Sequence, residues 1–362
     1  MSGLPKKRVL LVDDAVVVRK ALSSAIEQDP ELEVAATAVN GRIALAKFAS
    51  LKPDIVLLDI EMPEMDGLET VRELRKIDSQ VPIIMFSTLT ERGASSTLEA
   101  LSLGATDYVT KPSKVNGTAT FDTITGELIP KIRALCRLPR GSPIAGGEPP
   151  VSLSRPPALP RLLLPVRIVV IGVSTGGPDA LARLLPALPA NLPVPVVIAQ
   201  HMPAIFTARL ATRLSAKSAL PVREGISGEP LLPGCALLAP GDFHMIVRQE
   251  NGVPRVGIHQ GPKENFCRPS VDVLFRSVAR VYGARTLAVV LTGMGQDGAR
   301  GCEMLRAQGA RVYVQDETSS VVWGMPGLIA RAGLADKILP LSQIGPEIVR
   351  AVTLEASARS QS

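Results

Sequence analysis

The stretch RIVVIGVSTGGPDALARLL, from Arg167 to Leu185, combines the two patterns that decide the fold. An apolar run of strand length ends in a glycine-rich turn, and apolar residues at helical spacing follow it. The turn Gly172-Val-Ser174-Thr-Gly176 also fits G-x-S-x-G, in which the glycines permit a sharp turn that exposes a serine hydroxyl. Alternatively, such a turn binds an anion through backbone N–H groups at a helix N-terminus.

Short apolar runs alternate with helical patterns on both sides of this stretch. In the first half the predicted strands are VLLV (9–12), EVAAT (33–37), DIVLLD (54–59), PIIMFS (82–87) and DYVTK (107–111). In the second half they are RIVVIGVS (167–174), VPVVIAQHM (194–202), CALLAP (235–240) and TLAVVLTGM (286–294). The predicted helices include AVVVRKALSSAIEQ (15–28), GLETVRELRKI (67–77), PDALARLLPAL (178–188) and DGARGCEMLRAQ (297–308). We therefore expect an α/β protein made of two doubly wound parallel-sheet domains.

A proline-rich stretch indicates where the chain divides. The 362 residues are too many for one ordinary core. Residues 139–165 contain eight prolines and three glycines among 27 positions, a composition typical of an extended, semi-rigid linker. The sequence therefore predicts a first domain over residues 6–137, a linker over 138–165 and a second domain over 166–350.

Charge and cysteine content limit the class of protein. The net charge of +6 is uneven, with −2 over residues 1–138 and +8 over the remainder, which fits an ordinary surface or an acidic partner equally. No basic run with interleaved aromatic residues favours nucleic acid, and no apolar stretch is long enough to insert in a membrane. The four cysteines fit neither a zinc site nor a disulfide framework, so we expect a cytoplasmic protein.

Five polar side chains follow predicted strands of the first half. Asp13 and Asp14 follow the first strand, Asp59 ends the third, and Ser87 and Lys111 end the fourth and fifth. Because the carboxyl ends of parallel strands meet at one sheet edge, these side chains should converge. Three adjacent carboxylates favour a hard cation such as Mg²⁺, and a lysine with a hydroxyl suits a phosphoryl group.

The segments VLLVDD, LLDIEMPEMDG, PIIMFS and TKP together resemble a response-regulator receiver domain, which has a flavodoxin-like fold. The resemblance implies that Asp59 accepts a phosphoryl group from a histidine kinase, while Ser87 and Lys111 contact its oxygens. It also implies a Mg²⁺ site made of three carboxylates and one backbone carbonyl: Asp13, Asp14, Asp59 and Glu61. Tyr108 is a candidate conformational reporter in this family, although core packing is its commoner role.

A nucleophilic serine at position 174 needs a base, and the chain contains three histidines. His201 follows the strand VPVVIAQ and should lie at the same sheet edge as Ser174, whereas His244, in APGDFHM, is the reserve candidate. His259 lies in the polar stretch GIHQGPKE and is expected at the surface. Asp297 follows a strongly apolar strand, where a carboxylate either orients the imidazole or caps a helix. The order serine, histidine, acid differs from that of α/β-hydrolases.

Three other classes of protein remain open from these motifs alone. A nucleotide-binding reductase would place a pyrophosphate against Gly172, Gly176 and Gly177. A non-catalytic output module would use the second half to bind a partner protein. A DNA-binding regulator is disfavoured, because some 200 residues of α/β pattern follow the linker instead of a short helix-turn-helix.

Six further segments in order resemble the catalytic domain of the chemotaxis protein-glutamate methylesterases, which has a Rossmann-like fold: GVSTGGP, AQHMPAIFT, LAPGDFHM, RPSVDVLF, LTGMGQDGARG and SSVVWGMP. The resemblance implies Ser174 as nucleophile, His201 as general base and acid, and Asp297 as orienting carboxylate. The backbone N–H of Met294 would contribute to an oxyanion hole, and Thr175 would line the site.

The same resemblance implies the reaction and its control. Methyl groups would be removed from glutamate γ-methyl esters on chemoreceptors with release of methanol, and receptor glutamines would be deamidated, without a cofactor for hydrolysis. The unphosphorylated receiver would cover the catalytic face, and phosphorylation by the chemotaxis histidine kinase would release it.

Overall fold

A computed structural model describes residues 5–111, 118–137 and 164–353. The chain divides into two compact units, Met1–Gly146 and Gly147–Ser362. The division falls inside the stretch predicted as a linker, of which residues 138–163 lie outside the described ranges. The domain limits at residues 6, 137, 166 and 350 therefore stay predictions.

The first unit is a five-stranded parallel sheet with the order β2-β1-β3-β4-β5. Its strands are β1 (Lys7–Val12), β2 (Leu32–Ala38), β3 (Ile55–Asp59), β4 (Ile83–Ser87) and β5 (Asp107–Thr110). Its helices are α1 (Val16–Glu27), α2 (Gly41–Leu51), α3 (Gly67–Ile77), α4 (Glu91–Ser102) and α5 (Thr118–Leu135). This strand order is the flavodoxin-like one, so the predicted fold class is confirmed for this half.

Local sequence explains where helices of the first unit begin. Asn40 accepts a hydrogen bond from the N–H of Ile43 at the start of α2. Asp66 and Glu69 form a reciprocal capping box at the start of α3, which satisfies two backbone donors that a helix leaves unpaired. The central strands β3 and β4 are wholly buried, because helices cover both faces of a parallel sheet.

The second unit is a seven-stranded parallel sheet with the order β14-β13-β12-β6-β7-β9-β8. Its strands are β6 (Ile168–Val173), β7 (Val196–Gln200), β8 (Val222–Glu224), β9 (Ala236–Leu238), β12 (Thr286–Val290), β13 (Arg311–Gln315) and β14 (Lys337–Leu339). Its helices are α6 (Gly177–Leu184), α7 (Ala204–Lys217), α8 (Val271–Tyr282), α9 (Ala299–Ala307), α10 (Met325–Arg331) and α11 (Leu341–Thr353). The doubly wound parallel sheet is therefore confirmed here too.

The structure differs from the sequence-based expectation in three places. The second sheet contains three strands that the sequence analysis did not predict, β8, β13 and β14. An antiparallel hairpin, β10 (His244–Glu250) with β11 (Val253–His259), lies outside the parallel sheet. The helix expected to start at Asp297 begins at Ala299, after the left-handed Gly298 with φ of 88°. Asp297 is therefore free to bond groups other than its own helix.

The order of the strands determines where each predicted site lies. The chain runs from β6 outward through β7, then returns to build β12 on the other side of β6. A crevice forms at the carboxyl ends of strands where the winding direction reverses, here between β6 and β12. The first unit reverses in the same way between β1 and β3. Both predicted sites lie at these points.

Two phenylalanines offer a matched test of the second core. Phe275 is completely buried in α8, where it packs against Gly172 and Gly301, whereas Phe266 is 67% exposed. We expect Phe275→Ala to lower the free energy of unfolding by about 3–5 kcal/mol through the cavity it leaves. Phe266→Ala should change it by no more than about 0.5 kcal/mol. Denaturant melts of the full chain measure both, and equal losses would contradict this placement of the core.

Candidate functional site

The carboxylates predicted for the first unit do converge. Carboxylate oxygens of Asp13, Asp14 and Asp59 lie within 4.8 Å of one another. Asp13 and Asp59 are buried, and Asp14 is exposed. The ammonium of Lys111 lies 2.9 Å from Asp13 Oδ2 and 2.7 Å from Asp59 Oδ2. A single cation therefore compensates two buried carboxylates.

Burial and the ammonium act in opposite directions on Asp59. Burial raises the pKa of Asp59 to about 6, although the neighbouring Lys111 lowers it. Burial also acts to lower the pKa of Lys111, but Asp59 and Asp13 outweigh this and raise it. At neutral pH the site therefore holds an ionised Asp59 beside a protonated Lys111.

A cavity of about 260 Å³ opens over this cluster. Its lining combines charged, hydroxyl and backbone groups of Asp14, Asp59, Ile60, Glu61, Ser87, Thr88, Gly93 and Lys111. The Ser87 hydroxyl accepts a hydrogen bond from Thr97 Oγ1 at 2.7 Å. Tyr108 is buried in the core, and its carbonyl accepts a hydrogen bond from Lys131. The cavity thus brings together all the residues predicted to contact a phosphoryl group.

In the second unit, the turn after β6 presents Ser174. The N–H of Ser174 donates to Thr292 O at 3.0 Å, and its carbonyl accepts from Gly177 N at 2.8 Å. Gly176 has φ of 76°, a left-handed conformation that favours glycine. The strand therefore ends in a tight turn from which the Ser174 side chain projects, partly exposed, at the sheet edge.

Three distant side chains meet at this edge in a continuous relay. His201 Nδ1 lies 3.0 Å from Ser174 Oγ, and His201 Nε2 lies 2.7 Å from Asp297 Oδ2. Because an ionised carboxylate only accepts hydrogen bonds, Nε2 carries the proton in the neutral imidazole, and Nδ1 then has a lone pair directed at the serine. The relay links the ends of β6 and β7 with the segment after β12.

Asp297 is held by the N-terminus of α8 instead of capping its own helix. Its carboxylate accepts hydrogen bonds from the backbone N–H groups of Val271 at 2.6 Å and Asp272 at 3.0 Å. Burial acts to raise the pKa of Asp297, but His201 and these N–H donors outweigh it and lower that pKa. The buried carboxylate therefore stays ionised.

The imidazole lies between two groups that favour its protonated form. Burial acts against protonation of His201, but Cys267 and the Asp297 carboxylate outweigh it and raise the pKa of His201 above its usual value. The ring is 11% exposed, so water does not screen these contacts strongly. His201 is consequently a stronger base than a free imidazole.

Several residues at the site were missed by sequence reasoning. Ser270 Oγ donates to Asp297 Oδ1 at 2.9 Å, and Asn265 Nδ2 donates to both Asp297 and Asp272. Burial and Asp297 raise the pKa of Asp272 to about 7. Gln200 Nε2 donates to Ser174 O at 3.1 Å. Ser270 also accepts from Val273 N as the N-cap of α8, a signal visible in RPSVDVLF.

The other two histidines do not join the relay. His244, the reserve candidate, is buried, and its ring nitrogens bond the Ser270 N–H and the Pro262 carbonyl. His244 therefore stabilises Ser270, the N-cap residue of α8. His259 pairs with it in the hairpin and is exposed, as its polar surroundings predict.

The predicted lining residues lie on either side of Ser174. Thr175 is buried, and its carbonyl accepts from Thr292 Oγ1 at 2.9 Å. Met294 follows Gly293, which packs so closely that a Cβ there would lie 2.8 Å from Ser174 Cβ. Gly293 therefore packs directly against Ser174.

The three glycines of the turn are needed because neighbouring side chains of the protein pack closely against them. This weakens the nucleotide-binding hypothesis, which assigns the same glycines to a pyrophosphate. A Cβ on Gly172 would lie 2.3 Å from Val271, and one on Gly177 would lie 2.0 Å from Gln200 Oε1. One on Gly176 would lie 2.6 Å from Val321. Internal packing therefore accounts for each of these glycines without a bound nucleotide.

The fold and the two sites define a class: a receiver unit with a carboxylate cluster, joined to an α/β unit with the side-chain arrangement of a serine hydrolase. Comparison with known families agrees with this class. Residues 9–119 match the response regulator receiver domain, and residues 169–348 match the CheB methylesterase family.

Similar proteins carry both halves. A protein-glutamate methylesterase/protein-glutamine glutaminase of Trichodesmium erythraeum is 48% identical, over 96% of this chain and 100% of that protein. One of the same description from a Nocardioides species is 49% identical, over 96% of each chain. The catalytic domain of the Thermotoga maritima CheB methylesterase superposes with a TM-score of 0.51 at 41% identity, covering 52% of this chain and 99% of that one. The chain belongs to the protein-glutamate methylesterase family, which confirms the resemblance carried by the motifs.

Asp297 and Asp272 provide a matched pair for testing the relay. In Asp297→Asn the amide no longer fixes the His201 tautomer, so a serine-directed sulfonyl fluoride should label Ser174 about 10⁴-fold more slowly. Asp272→Asn removes a buried carboxylate that does not bond His201, and should slow labelling less than tenfold. Mass spectrometry of the Ser174 peptide measures both rates. Equal slowing would show that the relay does not operate through Asp297.

Proposed function

We propose that this chain is a phosphorylation-activated serine hydrolase that removes methyl groups from glutamate γ-methyl esters on chemoreceptors and releases methanol. The observation that carries the proposal is the hydrogen-bonded series Ser174, His201, Asp297 at a sheet edge of a methylesterase-family fold. Homologues named protein-glutamate methylesterase/protein-glutamine glutaminase support the same substrate class.

The first step is attack by the serine. As Ser174 Oγ approaches the ester carbonyl, its proton passes to His201 Nδ1, and a covalent acyl-enzyme forms with loss of methanol. Asp297 keeps Nε2 protonated and stabilises the imidazolium through the 2.7 Å hydrogen bond between Nε2 and Asp297 Oδ2. The methoxide takes the proton from His201 Nδ1 as it leaves, so methanol is the product of this step. Water then attacks the acyl carbonyl and passes a proton to the same nitrogen, which returns it to Ser174 Oγ as the glutamate product departs.

The developing oxyanion needs donors beside Ser174. The Met294 N–H follows the closely packed Gly293 and is the donor we assign, with the buried Thr175 lining the site. A backbone donor of this kind typically contributes about 3 kcal/mol to transition-state stability. No cofactor is required for this acyl chemistry.

Deamidation of receptor glutamines is a second activity of the same site. An amide carbonyl accepts the same serine attack, and the imidazolium of His201 protonates the departing ammonia. The glutaminase description of the homologues favours this activity.

The first unit receives the controlling signal. Asp59 is the phosphoryl acceptor, and the chemotaxis histidine kinase is the donor. Ser87 and Lys111 line the same cavity and would bond the phosphoryl oxygens. The Lys111 ammonium already contacts the Asp59 carboxylate, which would accept the phosphoryl group.

The carboxylate cluster fits Mg²⁺, because it supplies only oxygen ligands within 4.8 Å of one another. The ion would be held by the backbone carbonyl of Glu61 and by the carboxylates of Asp13, Asp14 and Asp59. When bound, Mg²⁺ would offset negative charge on the transferring phosphoryl group.

The proposed setting is the cytoplasm, where the receptor's methylated region and the kinase are accessible. All four cysteines are free, which suits a reducing compartment. Across the described ranges, none of the helices has the length and hydrophobicity that a membrane-spanning segment needs. The +8 charge of the catalytic half suits an acidic receptor surface better than the −2 of the first half.

Replacement of the nucleophile tests the reaction. We expect Ser174→Ala to abolish methanol release from methylated receptor, since no other group replaces the attacking hydroxyl. Ser227→Ala, at an exposed position of the same unit, should release methanol at the wild-type rate. Gas chromatography measures methanol in both. Retained release by Ser174→Ala would refute the serine mechanism.

Removal of the receiver tests the control. We expect a fragment starting near Leu162 to turn over faster than the resting full chain, because the inhibitory state is lost. A tenfold difference corresponds to about 1.4 kcal/mol between the two states. Full-chain Asp59→Asn, given a small phosphodonor, serves as the control that should not be activated. Equal turnover by the fragment and the resting chain would exclude inhibition by the receiver.

A further inference from the structure

A two-residue turn brings a thiol into the catalytic relay. Glu264 and Cys267 exchange backbone hydrogen bonds of 3.1 and 2.9 Å across the turn. Both central residues, Asn265 and Phe266, have left-handed φ angles, 51° and 62°. Arg276 holds Glu264 through two charged hydrogen bonds of 2.5 and 2.6 Å. The turn is thereby fixed over α8, with Cys267 at its end.

Cys267 and Ser174 share one nitrogen of the catalytic base. Cys267 Sγ lies 3.4 Å from His201 Nδ1, and Ser174 Oγ lies 3.0 Å from the same atom. The second ring nitrogen is committed to Asp297. Because Nδ1 has a single lone pair, it accepts a proton from the hydroxyl or from the thiol, but not from both.

Among the residues that the structure describes, the other three cysteines bond no imidazole, and burial disfavours the thiolate of each. Burial raises the pKa of Cys136 to about 12, and it also raises the pKa of Cys235 and Cys302. Cys235 Sγ bonds the Leu232 carbonyl, and Cys302 is completely buried. Cys267 is partly exposed, so a small solute reaches it. A thiol paired with an imidazole is the arrangement that generates a nucleophilic thiolate.

We propose that Cys267 is a modification site at which hydroperoxides reversibly arrest the hydrolase. His201 Nδ1 takes the thiol proton, and the sulfur attacks one peroxide oxygen. An S–O bond forms and the O–O bond breaks, so Cys267 is oxidised to a sulfenic acid while the peroxide is reduced by two electrons. The departing oxygen anion takes the proton from the imidazolium and leaves as water from hydrogen peroxide, or as an alcohol from an alkyl hydroperoxide.

The hydrolase would lose turnover because Cys267 and Ser174 share His201 Nδ1. The sulfenic hydroxyl is one atom longer than the thiol and can donate to His201 Nδ1, which removes the base from Ser174. A dithiol reductant returns the sulfenic acid to the thiol and releases water, so activity should recover. The effect on turnover rests on the proposed esterase function, whereas the oxidation of Cys267 does not.

The test treats the full chain with hydrogen peroxide and follows two readouts. Mass spectrometry measures oxygen gain at each cysteine peptide, and methanol release measures turnover before and after treatment. We expect Cys267 to gain oxygen at least tenfold faster than Cys235, with a matching loss of turnover that dithiothreitol reverses. Oxidation no faster than that of Cys235, or full oxidation of Cys267 without loss of turnover, would overturn the proposal.

Variants separate this proposal from the proposed function. Each variant's turnover after peroxide is expressed relative to its own untreated rate: Cys267→Ser should become insensitive, and Cys235→Ser should stay as sensitive as wild type. His201→Gln should slow oxygen gain at Cys267 at least tenfold. Ser174→Ala, which frees Nδ1 from its competitor, should keep or increase that rate. If untreated wild type releases no methanol, the esterase function fails, while these oxidation rates still decide whether Cys267 is activated by His201.

Discussion

The hydrogen bond between His201 and Asp297 is the constraint on which the hydrolase half depends. A carboxylate that is 2% exposed would ordinarily be costly, and it is tolerated because the N-terminus of α8 supplies N–H donors and a favourable dipole. The ionised Asp297 in turn fixes the tautomer of His201 and directs Nδ1 at Ser174. One helix end thus determines the protonation of a relay that spans more than 120 residues of sequence.

The receiver half solves the same problem with a full positive charge in place of helix N–H donors. Asp13 and Asp59 are buried side by side, and Lys111 supplies the compensating charge. In both halves buried carboxylates lie at the point where the winding of a parallel sheet reverses. That point is open at its surface because neighbouring connections leave in opposite directions.

The turn from Glu264 to Cys267 contacts both the buried carboxylates and the imidazole of the hydrolase half. Asn265 bonds Asp297 and Asp272 from this turn, so it steadies two buried carboxylates with one amide. The same turn brings Cys267 against His201. One short turn therefore supplies two groups, an amide and a thiol, that contact the relay.

The sequence by itself determined the α/β class, most strand positions and the polar residues at strand ends, because buried parallel strands are continuous apolar runs with abrupt polar ends. It also offered Ser174, His201 and Asp297 as one group through the family resemblance. Only the tertiary structure decided that Asp297 bonds the N-terminus of α8, that Val271 and Gln200 fill the space beside the glycines, and that Cys267 contacts His201. These contacts join segments far apart in the chain, and local pattern carries no information about which distant side chains the winding of a sheet brings together.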